Sequence, residues 1–283
     1  MHTLLAGRHS LDLTRPRVMG VVNVTPDSFS DGGRYAGHDA ALAHARQMLA
    51  DGADIIDVGG ESTRPGAAPV AEADEIDRVL PVIEALAADG ALVSVDTMKP
   101  AVMRAAIAAG AAMINDVLAL RAPGALEVAA ASDVAVCLMH MLGEPRTMQA
   151  APHYDDVVVE VRGFLAARAA VAMAVGISPE RIVLDPGFGF GKSLAHNLAL
   201  IRGLPELRAL GFPVLAGLSR KSSIGQITGR DAGERLAGSL AAALAAVARG
   251  AAIVRVHDVR ETVDALKVWL AVNDANAPGE ESR

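Results

Sequence analysis

Short runs rich in valine, isoleucine and leucine recur eight times along this chain, and the residue that follows each run is polar. The runs are "VMGVVNV" (18–24), "DIIDVG" (54–59), "LVSVDT" (92–97), "MINDV" (113–117), "VAVCLMH" (134–140), "IVLDP" (182–186), "VLAGLS" (214–219) and "IVRVHD" (253–258). Between most of them lie alanine-rich segments with apolar residues at helical spacing, such as "AALAHARQMLADG" and "DEIDRVLPVIEALAADG". The pattern predicts a strand followed by a helix, repeated eight times. No low-complexity linker or abrupt change of composition divides it, so residues 18–273 are expected to form a single domain. Residues 1–17 are left over and are expected to close the N-terminal end as a hairpin or plug, while the polar tail 274–283 is expected to be disordered.

Strand and helix alternate in a doubly wound sheet as well as in a (β/α)8 TIM barrel, so the repeat alone does not choose between them. The polar strand ends do. Asn23, Asp57 with Glu61 beyond it, Asp96 and Thr97, Asn115 and Asp116, His140, Asp185, Ser219 followed by Arg220 and Lys221, and Arg255 with His257 all close apolar runs. In a barrel these C-terminal ends converge on one mouth, where the active sites of that fold sit. In a doubly wound sheet they would be spread along an edge. The expected fold is therefore the barrel.

Composition agrees with a large, alanine-, valine- and leucine-filled core: 52% of the residues are hydrophobic and only 3% aromatic. A net charge of −7 argues against a nucleic-acid partner, so any anionic substrate must meet a local basic cluster. The single cysteine, Cys137, rules out an internal disulfide and lies in an apolar run, as a buried small hydrophobe would. No signal-peptide pattern and no uncharged run of membrane-spanning length occurs, which points to a cytoplasmic protein.

The segment "LDPGFGFGKS" (184–193) suggests a nucleotide-phosphate loop, but the required first glycine falls on Pro186, which has no N–H to offer a phosphate. The dinucleotide pattern fails as well, because Lys192 stands where its third glycine should be. Lys192 is then expected to be a solvated loop lysine. No G-x-S-x-G elbow supports a serine hydrolase, and the eight histidines make no H-x-x-H or H-E-x-x-H for zinc. Magnesium needs only one or two protein oxygens beside substrate phosphates, and Asn23 offers one. Asp96, Asn115 and Asp185, from three different strands, can accept and donate along the edge of a flat heterocycle. Arg64, Arg220, Lys221, Arg255 and His257 form the basic set, and Arg255 and His257 point to one side of their strand. Phe29, Phe188 and Phe190 lie in Gly- and Pro-rich loops, away from the expected core, as partners for a flat ligand would.

The segments "MGVVNVTPDSFSDGG", "IIDVGGESTRPGA", "VSVDT", "INDV", "LMHM", "LDPGFGFGKS", "LAGLSRKSSIG" and "RVHDV" stand in the order found in the dihydropteroate synthases, and the chain resembles that family from about Val18 to its last helix. The resemblance implies condensation of 6-hydroxymethyl-7,8-dihydropterin diphosphate with 4-aminobenzoate, a homodimer, and magnesium bound at Asn23. It implies a pterin diphosphate held by Thr63, Asp96, Asn115, Met139, Asp185, Lys221, Arg255 and His257. Aminobenzoate would lie among Phe29, Thr63, Arg64, Pro65, Phe190, Lys221 and Ser222, and catalysis would fall to Asp31, Lys221, Arg255 and His257. Alternatives are a pterin-binding, corrinoid-linked methyltransferase domain and a catalytically silent paralogue. The first leaves "SRKSS" and "RVH" unexplained; the intact first and second loops weigh against the other.

Overall fold

A computed structural model describes residues 2–24, 33–62, 68–143, 148 and 152–273. The chain opens with an antiparallel hairpin, β1 (Thr3–Ala6) and β2 (His9–Asp12). Eight parallel strands follow: β3 (Arg17–Asn23), β4 (Ile55–Gly59), β5 (Val93–Asp96), β6 (Met113–Asp116), β7 (Ala135–Met139), β8 (Ile182–Asp185), β9 (Leu215–Ala216) and β10 (Ile253–Val256). Neighbours in sequence are neighbours in space, and β10 returns to β3. The last gap is closed where Leu184 bridges Val214 in parallel and its N–H donates to the Pro213 carbonyl at 2.9 Å. The sheet is thus a closed barrel, as expected from the repeat. The seventh apolar run pairs for only two residues, so Gly217, Leu218 and Ser219 already belong to the loop above β9.

The helices are α1 (Gly33–Ala50), α2 (Glu72–Ala88), α3 (Pro100–Ala108), α4 (Ala125–Ala130), α5 (Val157–Ala174), α6 (Leu194–Arg202), α7 (Leu204–Arg208), α8 (Ser222–Thr228), α9 (Leu236–Val247) and α10 (Val259–Asn273). Local chemistry fixes several of their starts. The Asp156 carboxylate accepts from the N–H groups of Val158 and Val159 to open α5, and Ser193 with His196 forms a capping box on α6. Pro100 opens α3, where a missing N–H costs nothing. Alanines at the sheet-facing positions, among them Ala41, Ala45, Ala106, Ala129 and Ala246, are fully buried and let the helices lie close to the strands. Among the described residues, no helix is long and apolar enough to cross a membrane.

Two apolar clusters divide the interior. The larger lies between the strands and the ring of helices. The smaller fills the N-terminal end of the barrel with Met19, Ile55, Leu92, Met113, Val183, Leu215 and Ile253, and Leu4, Ala6 and Leu13 of the hairpin segment complete it. Cys137 belongs to the same layer and is buried, which raises its thiol pKa well above the usual range. The hairpin is therefore a stopper with an inward and an outward row: Leu4 is 0% exposed and Leu5 is 42% exposed. We expect Leu4→Ala to cost about 2–5 kcal/mol of stability. Leu5→Ala should stay within roughly 0.5 kcal/mol. Urea unfolding midpoints of the two variants check this, and equal midpoints would contradict the stopper.

Candidate active site

At the C-terminal ends of the strands the alternation that filled the lower barrel with hydrocarbon delivers charge. Asp57 on β4, Asp96 at the end of β5, Asn115 on β6 and Arg255 on β10 all point inward. The Arg255 guanidinium spans two strands, donating from Nε to Asp57 Oδ2 and from Nη2 to Asp96 Oδ2, each at 2.7 Å. Asn115 Nδ2 donates to the same Asp57 oxygen at 2.9 Å. Burial pushes the Asp96 carboxyl up to about 7; Arg255 opposes the shift, and Asp57, competing for the same guanidinium, adds to it. The two carboxylates in turn hold Arg255 firmly in its charged form against the cost of burial. Asp57 Oδ1 and the Ser94 hydroxyl, on paired residues of β4 and β5, are buried with no hydrogen-bond partner in the structure.

Asp185 ends β8 and is 6% exposed. Its Oδ1 accepts the Gly187 N–H at 2.7 Å, and burial raises its pKa against the pull of that bond and of Lys221, Arg255 and Lys192. Met139 and Phe190 pack with Val117, Met141 and Met148 into an apolar wall beside it. The Lys221 ammonium lies 4.4 Å from the Phe190 ring centre, a cation–π contact. Phe188 does not share this position. It is 1% exposed and belongs to the main core, so the expectation that it faces a ligand is corrected: the left-handed glycines on either side of it break the alternation that would put Phe188 and Phe190 on one face. Lys192 is corrected too, being 3% exposed and enclosed by the loop rather than solvated.

Above β9 and β10, His257 Nδ1 lies 3.0 Å from Ser219 Oγ, and that oxygen also accepts the His257 backbone N–H at 3.2 Å. Burial, with Arg255 and Arg220 adding to it, lowers the His257 pKa to about 4, so the ring is neutral at pH 7. Arg220 is bound to Asp258 in a two-pronged ion pair, which engages it outside the central constellation. Asn23 ends β3 beside Gly59; a side chain there would lie 3.7 Å from Asn23 Oδ1 and 3.8 Å from Asp96 Oδ2. The glycine thus keeps a gap open between two hard oxygens.

Three acidic groups near the mouth are anchors. Asp116 accepts the N–H groups of Leu118 and Leu120, holding the turn in which Ala119 and Leu120 take left-handed angles of 53° and 56°. Lys99 donates to Glu61, to Glu75 and to the Val70 carbonyl, each at 2.6 Å, clamping the stretch on either side of residues 63–67.

Residues 19–257 match the model of the pterin binding enzyme family. The chain is 56% identical over 278 residues to the dihydropteroate synthase of Neisseria meningitidis serogroup B, an alignment covering 96% of this chain and 98% of that one. It is 53% identical to the dihydropteroate synthase of Escherichia coli, covering 94% of both. Among solved structures, Xanthomonas albilineans dihydropteroate synthase with 4-aminobenzoic acid superposes with a TM-score of 0.92 at 57% identity, covering 97% of this chain and 99% of that one. The same enzyme with 7,8-dihydropteroate gives 0.89 at 55%, covering 96% and 99%. This chain belongs to the dihydropteroate synthase family.

Of the residues that the resemblance to dihydropteroate synthases singled out, the structure brings Asp96, Asn115 and Arg255 into one hydrogen-bonded group. It sets Asp185, Met139, Phe190 and Lys221 together around the next side of the mouth, and Asn23 and His257 on the rim. Ser222 is exposed at the first turn of α8, directly after Lys221. Phe29, Asp31, Thr63, Arg64 and Pro65 lie outside the described residues. Asp57 was noticed as a strand-end acid but given no role. The signal lay in its spacing, two residues before Gly59 and therefore on the same inward face.

We expect Asp185→Ala to weaken binding of the dihydropterin diphosphate roughly tenfold to a hundredfold, as loss of a charged acceptor does. Folding should survive, since the substitution removes a buried charge along with its one internal bond. Calorimetric titration together with far-ultraviolet circular dichroism measures both, and unchanged affinity in a folded variant would contradict the assignment.

Proposed function

We propose that the chain joins 6-hydroxymethyl-7,8-dihydropterin diphosphate to 4-aminobenzoate, forming 7,8-dihydropteroate and diphosphate. The observation that carries this reading is the Asp57–Arg255–Asp96 linkage with Asn115 and Asp185 around it: acceptors and donors from four strands and β10, converging at the depth a flat, nitrogen-rich ring would reach. Asp96, Asn115 and Asp185 read the ring edge, and Met139 packs against the ring. Lys221 and Phe190 border both the pterin and the aryl amine, while Thr63, Arg64, Pro65, Phe29 and Ser222 complete the aminobenzoate side. Arg255 and His257 face the diphosphate.

The Asp185 and Asp96 carboxylates favour positive charge on the pterin as its exocyclic C–O bond breaks. Neutral His257 has one N–H, and with Nδ1 accepting from the Ser219 hydroxyl that N–H is at Nε2, where it donates to a diphosphate oxygen. Asp31, in the first loop, helps enclose the site and exclude water. The lone pair of the aryl amine then attacks the methylene carbon, and the proton lost from the resulting ammonium passes to the released diphosphate or to water. The low basicity of the amine removes the need for a strong general base. Asn23 Oδ1, at the end of β3, fits magnesium, because a hard cation needs few protein oxygens when diphosphate supplies the rest. The ion, when bound at Asn23, offsets charge on the departing diphosphate.

A homodimer belongs to the same reading. It is supported by Ile227, Leu236, Val268 and Val272, exposed hydrophobic residues carried by α8, α9 and α10. A cytoplasmic location is supported by the one buried, unpaired thiol.

Incubation with both substrates and magnesium should release dihydropteroate. A secondary deuterium isotope effect at the methylene carbon should lie clearly above unity, because the C–O bond breaks ahead of attack. Absence of product would overturn the function, and an isotope effect near unity would overturn the order of bond changes.

A further inference from the structure

The lysine that first suggested a phosphate loop binds no anion in this fold. The segment from Gly187 to Lys192 folds back on its own ammonium: Lys192 Nζ donates to the Gly187 carbonyl at 2.9 Å and the Phe190 carbonyl at 3.0 Å, and stands 3.0 Å from His140 Nδ1 at the end of β7. An ammonium carries three protons, and these three acceptors use them all. The His140 carbonyl lies further off, at 3.3 Å. Burial and the neighbouring cation keep the His140 ring neutral, with a pKa of about 3, which leaves Nδ1 free to accept.

The glycines are what make this turn possible. Gly187, Gly189 and Gly191 take left-handed φ angles of 68°, 80° and 66°, which aim carbonyls inward where a phosphate loop would aim N–H groups. At Gly187 a Cβ would fall 1.9 Å from the His140 carbonyl oxygen, and at Gly191 2.7 Å from the Leu142 Cβ, so this loop is pressed against the end of β7. Other bonds lock its rim: Tyr154 donates to the Gly191 carbonyl at 2.8 Å, and the Gly189 N–H donates to Asn197 Oδ1 at 2.8 Å. The two groups that leave the loop toward the mouth are the Asp185 carboxylate, tied to the Gly187 N–H, and the Phe190 ring, beneath Lys221.

We propose that Lys192 is a positioning residue for substrate binding: its buried ammonium holds the loop between β8 and α6 in the one shape that presents Asp185 to the pterin and Phe190 to the aryl amine. The claim rests on the dihydropteroate synthase reading and assigns Lys192 no contact with substrate. Burial pulls the Lys192 pKa down to about 7, with Asp185 opposing the shift and Lys221 adding to it, so the ammonium and the Asp185 carboxylate support each other's charged forms.

Lys192→Met keeps the aliphatic stem and removes the charge and all three donors. In the folded variant, affinity for the dihydropterin diphosphate by calorimetry should fall roughly tenfold or more, as loss of charged hydrogen bonds does. The KM for aminobenzoate should rise while kcat changes less, the mark of lost binding rather than lost chemistry. Lys192→Gln, whose amide keeps a donor in the cage, should recover part of the loss. A lower melting temperature with wild-type affinity and KM would overturn the proposal, because that is what a purely structural lysine gives. Should Lys192→Met not fold, Lys192→Gln decides alone: reduced affinity supports the proposal and wild-type affinity overturns it. Failure of the wild-type chain to bind the dihydropterin diphosphate would instead defeat the functional reading.

Discussion

One guanidinium shared by two carboxylates organises this molecule above its apolar base. Arg255 reaches from β10 across the barrel to Asp57 on β4 and Asp96 on β5, so strands that are not neighbours in the sheet are joined through the interior. Ions taken out of water cost several kcal/mol each unless the geometry is nearly complete. Here Arg255 has two ionic hydrogen bonds, while the acids remain short: Asp57 Oδ1 lacks a partner and Asp96 is driven to about 7. A buried carboxylate oxygen without a partner is suited to a ligand that brings N–H groups, as the edge of a pterin does.

The rest of the barrel can be understood as what makes that polar layer tolerable. Below it, the hairpin stopper and the ring from Met19 to Ile253 exclude water from the N-terminal end. Around it, alanine-faced helices allow close packing without rings or branched chains. Above it, loops are held by charges bonded to protein groups: Lys99 between Glu61 and Glu75, Asp116 within its turn, and Lys192 inside the glycine loop. Binding residues thus stand on rigid supports, the arrangement a site needs if its donors are to be in place before the ligand arrives.

Much of this was legible in the sequence because strand periodicity and barrel topology are both strict. Polar residues closing apolar runs had to converge, which singled out Asp96, Asn115, Asp185, Arg255 and His257 as candidates from the chain alone, and the fold sets them at one mouth. Asp57 was seen as a strand-end acid but given no role, because its partner Arg255 lies 198 residues away in the chain and only the barrel brings the two together. Lys192 and Phe188 were misread for a different reason. Left-handed glycines reverse the direction of successive carbonyls and side chains, so a loop's inside and outside cannot be assigned by alternation. The shortness of β9 was hidden likewise, since Gly217 and Leu218 look like strand but lie where the chain has already turned toward Lys221.

The account stands on the claim that Arg255 and Asp57 act as one unit. A double-mutant cycle on unfolding free energy, using Asp57→Asn, Arg255→Met and the pair, tests it most directly. The account predicts a coupling of about 2 kcal/mol or more, because each single change strands a buried partner. Additivity to within roughly 0.5 kcal/mol, the behaviour of independent sites, would contradict it.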